Sequence, residues 1–163
     1  MSQTKWIETD TVHDHLVTAL PGVMPKAAWG ETSYFYNPGL RFARGTYFAT
    51  IKEKDGDNDR ASNLDRANIW RLNLGVSKQT FASLFGHPPT RPGKGQTIEG
   101  PWDFQETDRI TPHPVYGWMS WIAVLSPSVE TWERCKPLLQ DAHARAVTNF
   151  DKRVREIERH ARR

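Results

Sequence analysis

The sequence has little from which to build covalent chemistry. It holds one cysteine, Cys135, in 163 residues, so no internal disulfide can form, a usage that fits a reducing compartment. No stretch approaches the ~20 apolar residues that cross a bilayer. The opening Met1-Ser2-Gln3-Thr4-Lys5-Trp6 lacks the apolar run of a signal peptide. The expectation is a cytoplasmic protein with no membrane partner. There is no Gly-x-Ser-x-Gly elbow, and Gly93-Lys94-Gly95-Gln96-Thr97 resembles a phosphate loop in composition alone, without the spacing that cradles a nucleotide. Charge of one sign is scarce as well. The net charge is +3, and Asp151 to Arg163 carry six bases against three acids, so residues 1–150 are balanced. Nucleic-acid binders usually place a basic surface on the folded body, because phosphate neutralisation supplies much of their affinity. Nucleic acid is therefore a disfavoured partner, reached through the tail.

Aromatic residues are plentiful: seven Trp, seven Phe and four Tyr. Each buries a large area, so most belong to a core. A chain of this length, 37% hydrophobic and 25% charged, has the material for one globular core. The expected organisation is a single domain over residues 1–150 and a basic helical tail over 151–163.

Val12, Leu16, Val17 and Leu20 recur at helical spacing behind a cap at Thr9 or Asp10, and Pro21-Gly22 ends that helix. Runs rich in β-branched and aromatic residues follow at Ser33–Tyr36, Gly45–Ile51, Ile69–Val76 and Met119–Leu125, the first two joined through Asn37-Pro38-Gly39 as a hairpin. Ser77 opens a short helix closed by Gly86. Residues 87–102, with four prolines and three glycines, read as a long loop. A last helix starts near Ser126 with Pro127 at its first position; its apolar stripe runs Val129, Trp132, Cys135, Leu139, Ala142, Ala146, Phe150, Val154, Ile157, and Pro137 should kink or split it. Strands in meander order with helices at the ends predict an α+β fold, an antiparallel sheet of four to five strands with helices on one face.

Alternation along Ile69–Val76 places Trp70, Leu72, Leu74 and Val76 on one face and Ile69, Arg71, Asn73 and Gly75 on the other. Arg71 and Asn73 in mid-strand are costly to bury without partners. They imply either a solvated outer face or a partly open one, bordered by Tyr34 or Tyr36, Thr46, Thr50 and Ser120.

Asp55-Gly56-Asp57-Asn58-Asp59 starts like a calcium loop, but Arg60 and Arg66 stand where glycine and a bidentate glutamate are needed, so it reads as a solvated loop. Among six histidines, His113 is held between Pro112 and Pro114, which fix the backbone and aim the ring. His113 with Asp108 forms a candidate acid–base pair, and His113 and His143 with Asp108 could hold a divalent ion. The alternative is a hydrogen-bonded structural histidine at each position, and no metal ligand is assigned. Cys135, on the apolar stripe, reads as an inert thiol.

Several blocks carry a resemblance. Leu20-Pro21-Gly22-Val23 with Trp29-Gly30, Arg71-Leu72-Asn73-Leu74-Gly75-Val76-Ser77, Ile110 to Tyr116, and Asp141-Ala142-His143-Ala144-Arg145-Ala146 resemble an uncharacterised actinobacterial family of unknown function. More distantly, the Pro-Gly-Val and Trp-Gly opening and the strand Trp121-Ile122-Ala123-Val124 resemble MmcQ/YjbR-like proteins. That likeness implies a compact α+β fold and a place in antibiotic pathways or self-resistance, or a DNA-binding role. The chain departs from those proteins in its 53–66 and 87–102 loops and its basic tail. The resemblance implies no catalytic residues.

The leading expectation is a small-molecule-binding domain of bacterial specialised metabolism, enzyme or self-resistance protein, with no cofactor indicated. Trp29, Tyr36, Tyr116 and Trp118 would stack on a planar ligand, Arg71 would pair with its anionic or carbonyl group, and Asn73 would orient it. His113 and Asp108 would supply acid–base chemistry. The alternatives are a nucleic-acid-binding module using the tail, and a homodimer burying Val154 and Ile157.

Overall fold

The computed structural model describes residues 5–162. The elements run α1 (Thr9–Ala19), β1 (Val23–Ala28), β2 (Glu31–Tyr36), β3 (Thr46–Lys52), β4 (Arg71–Gly75), α2 (Lys78–Phe85), β5 (Thr111–Pro112), β6 (Trp121–Leu125) and α3 (Val129–Ala161). All six strands form one antiparallel sheet in the order β1-β2-β3-β4-β6-β5. The fold is α+β with six strands where four to five were expected. The two additional strands are β1, five of whose six residues are exposed, and the two-residue β5. Neither carries the period-two burial that marks a strand in sequence.

The connection from β2 to β3 turns through Asn37, whose side chain donates to Phe42 O (2.7 Å) and accepts from Phe42 N (3.1 Å). Gly45 closes the loop at φ 82°, where a Cβ would stand 2.4 Å from Tyr36 O. Within the hairpin the register shifts between Tyr34 and Phe35, which pair with Ala49 and Tyr47. The bulged residue Phe48 can then join Ala49 in the core, an insertion that bends the strand and re-aims its side chains.

One face of the sheet is apolar. Tyr34, Ile51, Leu72, Leu74, Ile122 and Val124 pack with Val12 and Leu16 of α1, Phe81 of α2 and Trp132, Leu139 and Ala142 of α3. Ser77 caps α2, accepting from Thr80 N at 3.1 Å, and Asp141 of α3 accepts from Ser77 N at 2.7 Å. This ties the short helix to the long one.

Two details of α3 differ from the sequence reading. Its cap is Ser128, which accepts from Thr131 N, so Pro127 lies before the helix instead of at its first turn. Pro137 does not split it: α3 is one continuous helix of 33 residues. Pro137 is exposed, so the carbonyl it leaves unpaired one turn back meets water. Phe150 is the last buried residue, and the tail continues α3 with Ile157 44% exposed. Among the described residues no helix is long and apolar enough to cross a membrane.

Candidate functional site

The opposite face of the sheet is neither solvated nor empty. Arg71 is 0% exposed, Asn73 1% and His113 3%, and the loop between β3 and β4 folds over them. Asp59, on that loop, receives both terminal nitrogens of Arg71, one of them at 3.0 Å. Arg71 also donates to Asn73 Oδ1 (2.8 Å) and Ser62 Oγ (2.8 Å). Asn73 Nδ2 donates to Thr50 Oγ1 at 2.8 Å, in register across β3 and β4. Two strands and one loop thus satisfy every polar atom of a buried guanidinium, the condition under which such a charge is tolerated.

His113 completes the cluster. Its Nδ1 accepts from the backbone N–H groups of Val115 and Tyr116, each at 3.0 Å, which leaves the ring proton on Nε2. Nε2 lies 3.4 Å from Arg71 Nη2 and 4.0 Å from Asp59 Oδ2. Burial, reinforced by the Arg71 charge, drives the imidazole well below the usual histidine range. It is a fixed neutral ring at neutral pH. Burial would raise the Asp59 carboxyl, but hydrogen bonding and charge from Arg71, with help from His113 and Lys52, outweigh it, so Asp59 titrates below the usual aspartate range.

Above this floor lies a cleft of ≈ 240 Å³ lined by Tyr47, Thr50, Lys52, Asp59, His113, Tyr116 and Trp121, with Glu31 and Asn73. Its aromatic wall has a backbone cause. Gly75 pairs with Trp121 in register, and a Cβ at Gly75 would stand 2.8 Å from the indole. The missing side chain lets the indole lie over β4, where Tyr47 stacks on it at 4.8 Å. Burial, with Glu31 and Tyr116 nearby, pushes the Tyr47 hydroxyl up to about 12, so it stays a neutral donor. Tyr116 lies 5.1 Å from the His113 ring, centre to centre.

Of the residues singled out in the sequence, the fold brings Arg71, Asn73, His113 and Tyr116 together. It does not bring in the others. Trp29 is 99% exposed at the β1–β2 turn. Tyr36 faces the helices, packing on His143 and Phe150. Trp118 lies under the Arg91 guanidinium, 4.8 Å away. Asp108 accepts from Ser128 N at 2.7 Å, at the start of α3; against the raising effect of burial, this and neighbouring hydroxyls hold its carboxyl low. The carboxylate beside His113 is Asp59. His143 Nε2 donates to Pro21 O at 2.8 Å on the helix-covered side of the sheet, so it cannot share an ion with His113. Among the described residues no group of three or more His, Cys, Asp or Glu is arranged to hold a metal. Burial pushes the Cys135 thiol up to about 12, an unreactive state.

The residues that sequence reading missed are Asp59, Lys52, Tyr47, Trp121 and Glu31. Gly75 was the available signal for Trp121, since an isolated glycine within a strand marks close approach of another group. Asp59 had none, because its calcium-like neighbourhood reads as solvated loop.

A larger cavity, ≈ 710 Å³, lies at the end of the sheet between Trp6, Glu8, Glu53, Arg66, Ile69 and Trp70. Its guanidinium, Arg66, is engaged by the carbonyls of Asn63, Ser62 and Gln105, and both its carboxylates are exposed. The smaller cleft has the buried, pre-organised polar groups that fix a ligand. No curated protein and no solved structure matches the chain. A family model does match it over residues 7–155, nearly the whole chain, and the protein with this buried arginine floor belongs to DUF6194, a family of unknown function.

Proposed function

We propose that the protein binds a small molecule in the cleft on the polar face of the sheet. One observation carries the reading: beside a rigid buried hydrogen-bond network the cleft holds a cation, Lys52, and a spare hydroxyl proton, Thr50, between aromatic rings. Arg71, expected to meet the ligand, instead holds the floor, and Lys52 takes the ligand-facing role. His113 positions the Tyr116 backbone through Nδ1. The likeness of the Trp121 strand and the Pro-Gly-Val opening to MmcQ/YjbR-like proteins supports this reading. It points to an actinobacterial protein of specialised metabolism, binding or modifying such a molecule. A thermal-shift screen of a fragment library should yield hits that Tyr116→Ala removes, because Tyr116 is exposed at the rim and its loss leaves the fold intact. Hits that persist in Tyr116→Ala and in Thr50→Val would place binding elsewhere and end the proposal.

A second reading rests on the end of α3. Lys152, Arg155, Arg159 and Arg162 recur at steps of three and four, sharing one side of the helix opposite Phe150, Val154 and Ile157. A stripe of this kind suits a phosphate backbone. It predicts DNA binding that weakens steeply with salt and disappears when residues 151–163 are deleted. Absence of binding at low salt would dismiss it, and sedimentation of the same two chains would detect a dimer formed through Val154 and Ile157.

A further inference from the structure

Within the cleft, one pair of charges is unlike the other. Asp59 and Arg71 are locked together, with the carboxylate on both terminal nitrogens of the guanidinium. Lys52 and Glu31 are opposite each other in register on β3 and β2, yet Lys52 Nζ stays 3.9 Å from Glu31 Oε2, beyond hydrogen-bond distance. Among the described residues neither side chain has another ion-pair or hydrogen-bond partner. Their depths differ: the Lys52 side chain is 12% exposed and that of Glu31 35%. Two residues along β3, the Thr50 hydroxyl accepts from Asn73 Nδ2, so its own proton is free to donate. The cleft therefore offers donors at depth and an acceptor at the rim.

We infer that the ligand is zwitterionic, an α-amino acid or a molecule with an equivalent head, and that it carries an aromatic side chain. Its carboxylate points inward to Lys52 Nζ and the Thr50 hydroxyl, and its ammonium points outward to Glu31. A simple carboxylate would meet Lys52 but also the uncompensated charge of Glu31; a simple amine would meet the reverse conflict. The ring lies against Tyr47, Trp121 and Tyr116, favoured by aromatic contact. The cleft, at ≈ 240 Å³, suits one ring with a short polar head, since roughly 150 Å³ holds a benzene molecule.

This inference rests on the small-molecule reading of the cleft, and the test separates the two. Phenylalanine, hydrocinnamate (the same skeleton without the amine) and phenethylamine (without the carboxylate) are titrated into the full-length protein, with binding followed at the backbone amides of Thr50 and Tyr116 by NMR. Phenylalanine should bind about tenfold tighter than either analogue, the scale of one charge-assisted hydrogen bond. Glu31→Gln should reduce the preference for phenylalanine over hydrocinnamate to about twofold or less, with hydrocinnamate binding undiminished, because the variant removes only the rim acceptor and the charge conflict. Lys52→Met should weaken both acids by about tenfold or more. Hydrocinnamate or phenethylamine binding as tightly as phenylalanine would overturn the zwitterion. So would a failure of all three to bind while fragment hits still shift Thr50 and Tyr116, an outcome that leaves the cleft as a site for another class. No fragment shifting those amides would remove the site itself. Glu31 lies at the partly exposed end of β2, so its variant keeps the test open if Lys52→Met fails to fold.

Discussion

Successive residues of β4 look to opposite sides of the sheet, and the two sides are buried by different means. Leu72 and Leu74 face the helices and are held by packing with Val12, Phe81 and Leu139. Arg71 and Asn73 face the β3–β4 loop and are held by a closed set of hydrogen bonds to Asp59, Ser62, Thr50 and each other. Both faces exclude water, but apolar packing is tolerant of small shifts, whereas a polar network fails when any one member goes. That contrast explains why the cleft sits on the polar side: a network fixed in orientation can point the Thr50 hydroxyl at a ligand, beside a lysine that no member of the network engages.

The largest expected break in this comparison is Arg71→Met. It strands the Asp59 carboxylate under the loop and should cost about 3–5 kcal/mol in urea denaturation, matching the roughly 2–5 kcal/mol of Leu72→Ala on the other face. Adding Asp59→Leu to Arg71→Met should recover most of the loss, since an apolar pair can replace a buried ion pair at little cost. Leu72→Ala has no such rescue by removing a partner. A double variant as unstable as Arg71→Met alone would deny that Asp59 and Arg71 act as a unit.

Next in size is the wall of the cleft. Gly75→Ala drives a methyl into the Trp121 indole and should destabilise by about 1–3 kcal/mol, as overpacking does. The near-ultraviolet signal of the stacked Trp121 and Tyr47 should change with it. An unaltered signal would mean that Trp121 does not lie over β4.

Smallest per step is the pH response, and here the two faces part. His113 has a depressed value in the folded state, so below its unfolded value of ~6.5 the unfolded chain takes up a proton that the folded one refuses. Stability should therefore fall as pH drops below ~6.5, by up to ~1.4 kcal/mol per unit. Asp59, also depressed, adds its loss below ~3.9, where the unfolded carboxylate protonates. In His113→Asn, whose amide oxygen can replace Nδ1 as acceptor, the decline between pH 6.5 and 5 should shrink to the share of His15. That ring is lowered by burial and by Lys136.

Much of this was legible in the sequence because local rules decided it. The alternation along Ile69–Val76 assigned both faces of β4 correctly, the end of α1 and both ends of α2 followed from caps and stops, and the buried thiol followed from the α3 stripe. The α1 cap expected at Thr9 or Asp10 is instead Glu8, which makes no side-chain cap hydrogen bond, and both expected residues lie inside the helix. What escaped depended on chain folding at a distance. Asp59 looks like one of several solvated acids until the 53–66 loop closes over the sheet, and nothing within five residues of it announces Arg71. Trp29 and Trp118 looked like ligand platforms because an aromatic residue carries no label for the side it faces. Tyr36 escaped for a related reason: it shares the helix-facing side of β2 with Tyr34 by plain alternation, and nothing in the strand's own residues marks which parity the helices cover. Asp108 lost its expected pairing to another task, holding the backbone N–H of Ser128, the cap of α3.

The claim on which the rest depends is that the polar face is a sealed floor under the cleft, and the His113 ring reports on it most directly. Its imidazole nitrogens, followed by ¹⁵N NMR from pH 8 down to 5.5, should show one neutral tautomer throughout, with the proton on Nε2. A ring that titrates near the ordinary ~6.5 of a free histidine, or that exchanges between tautomers, would mean that water reaches Arg71 and that the floor is open.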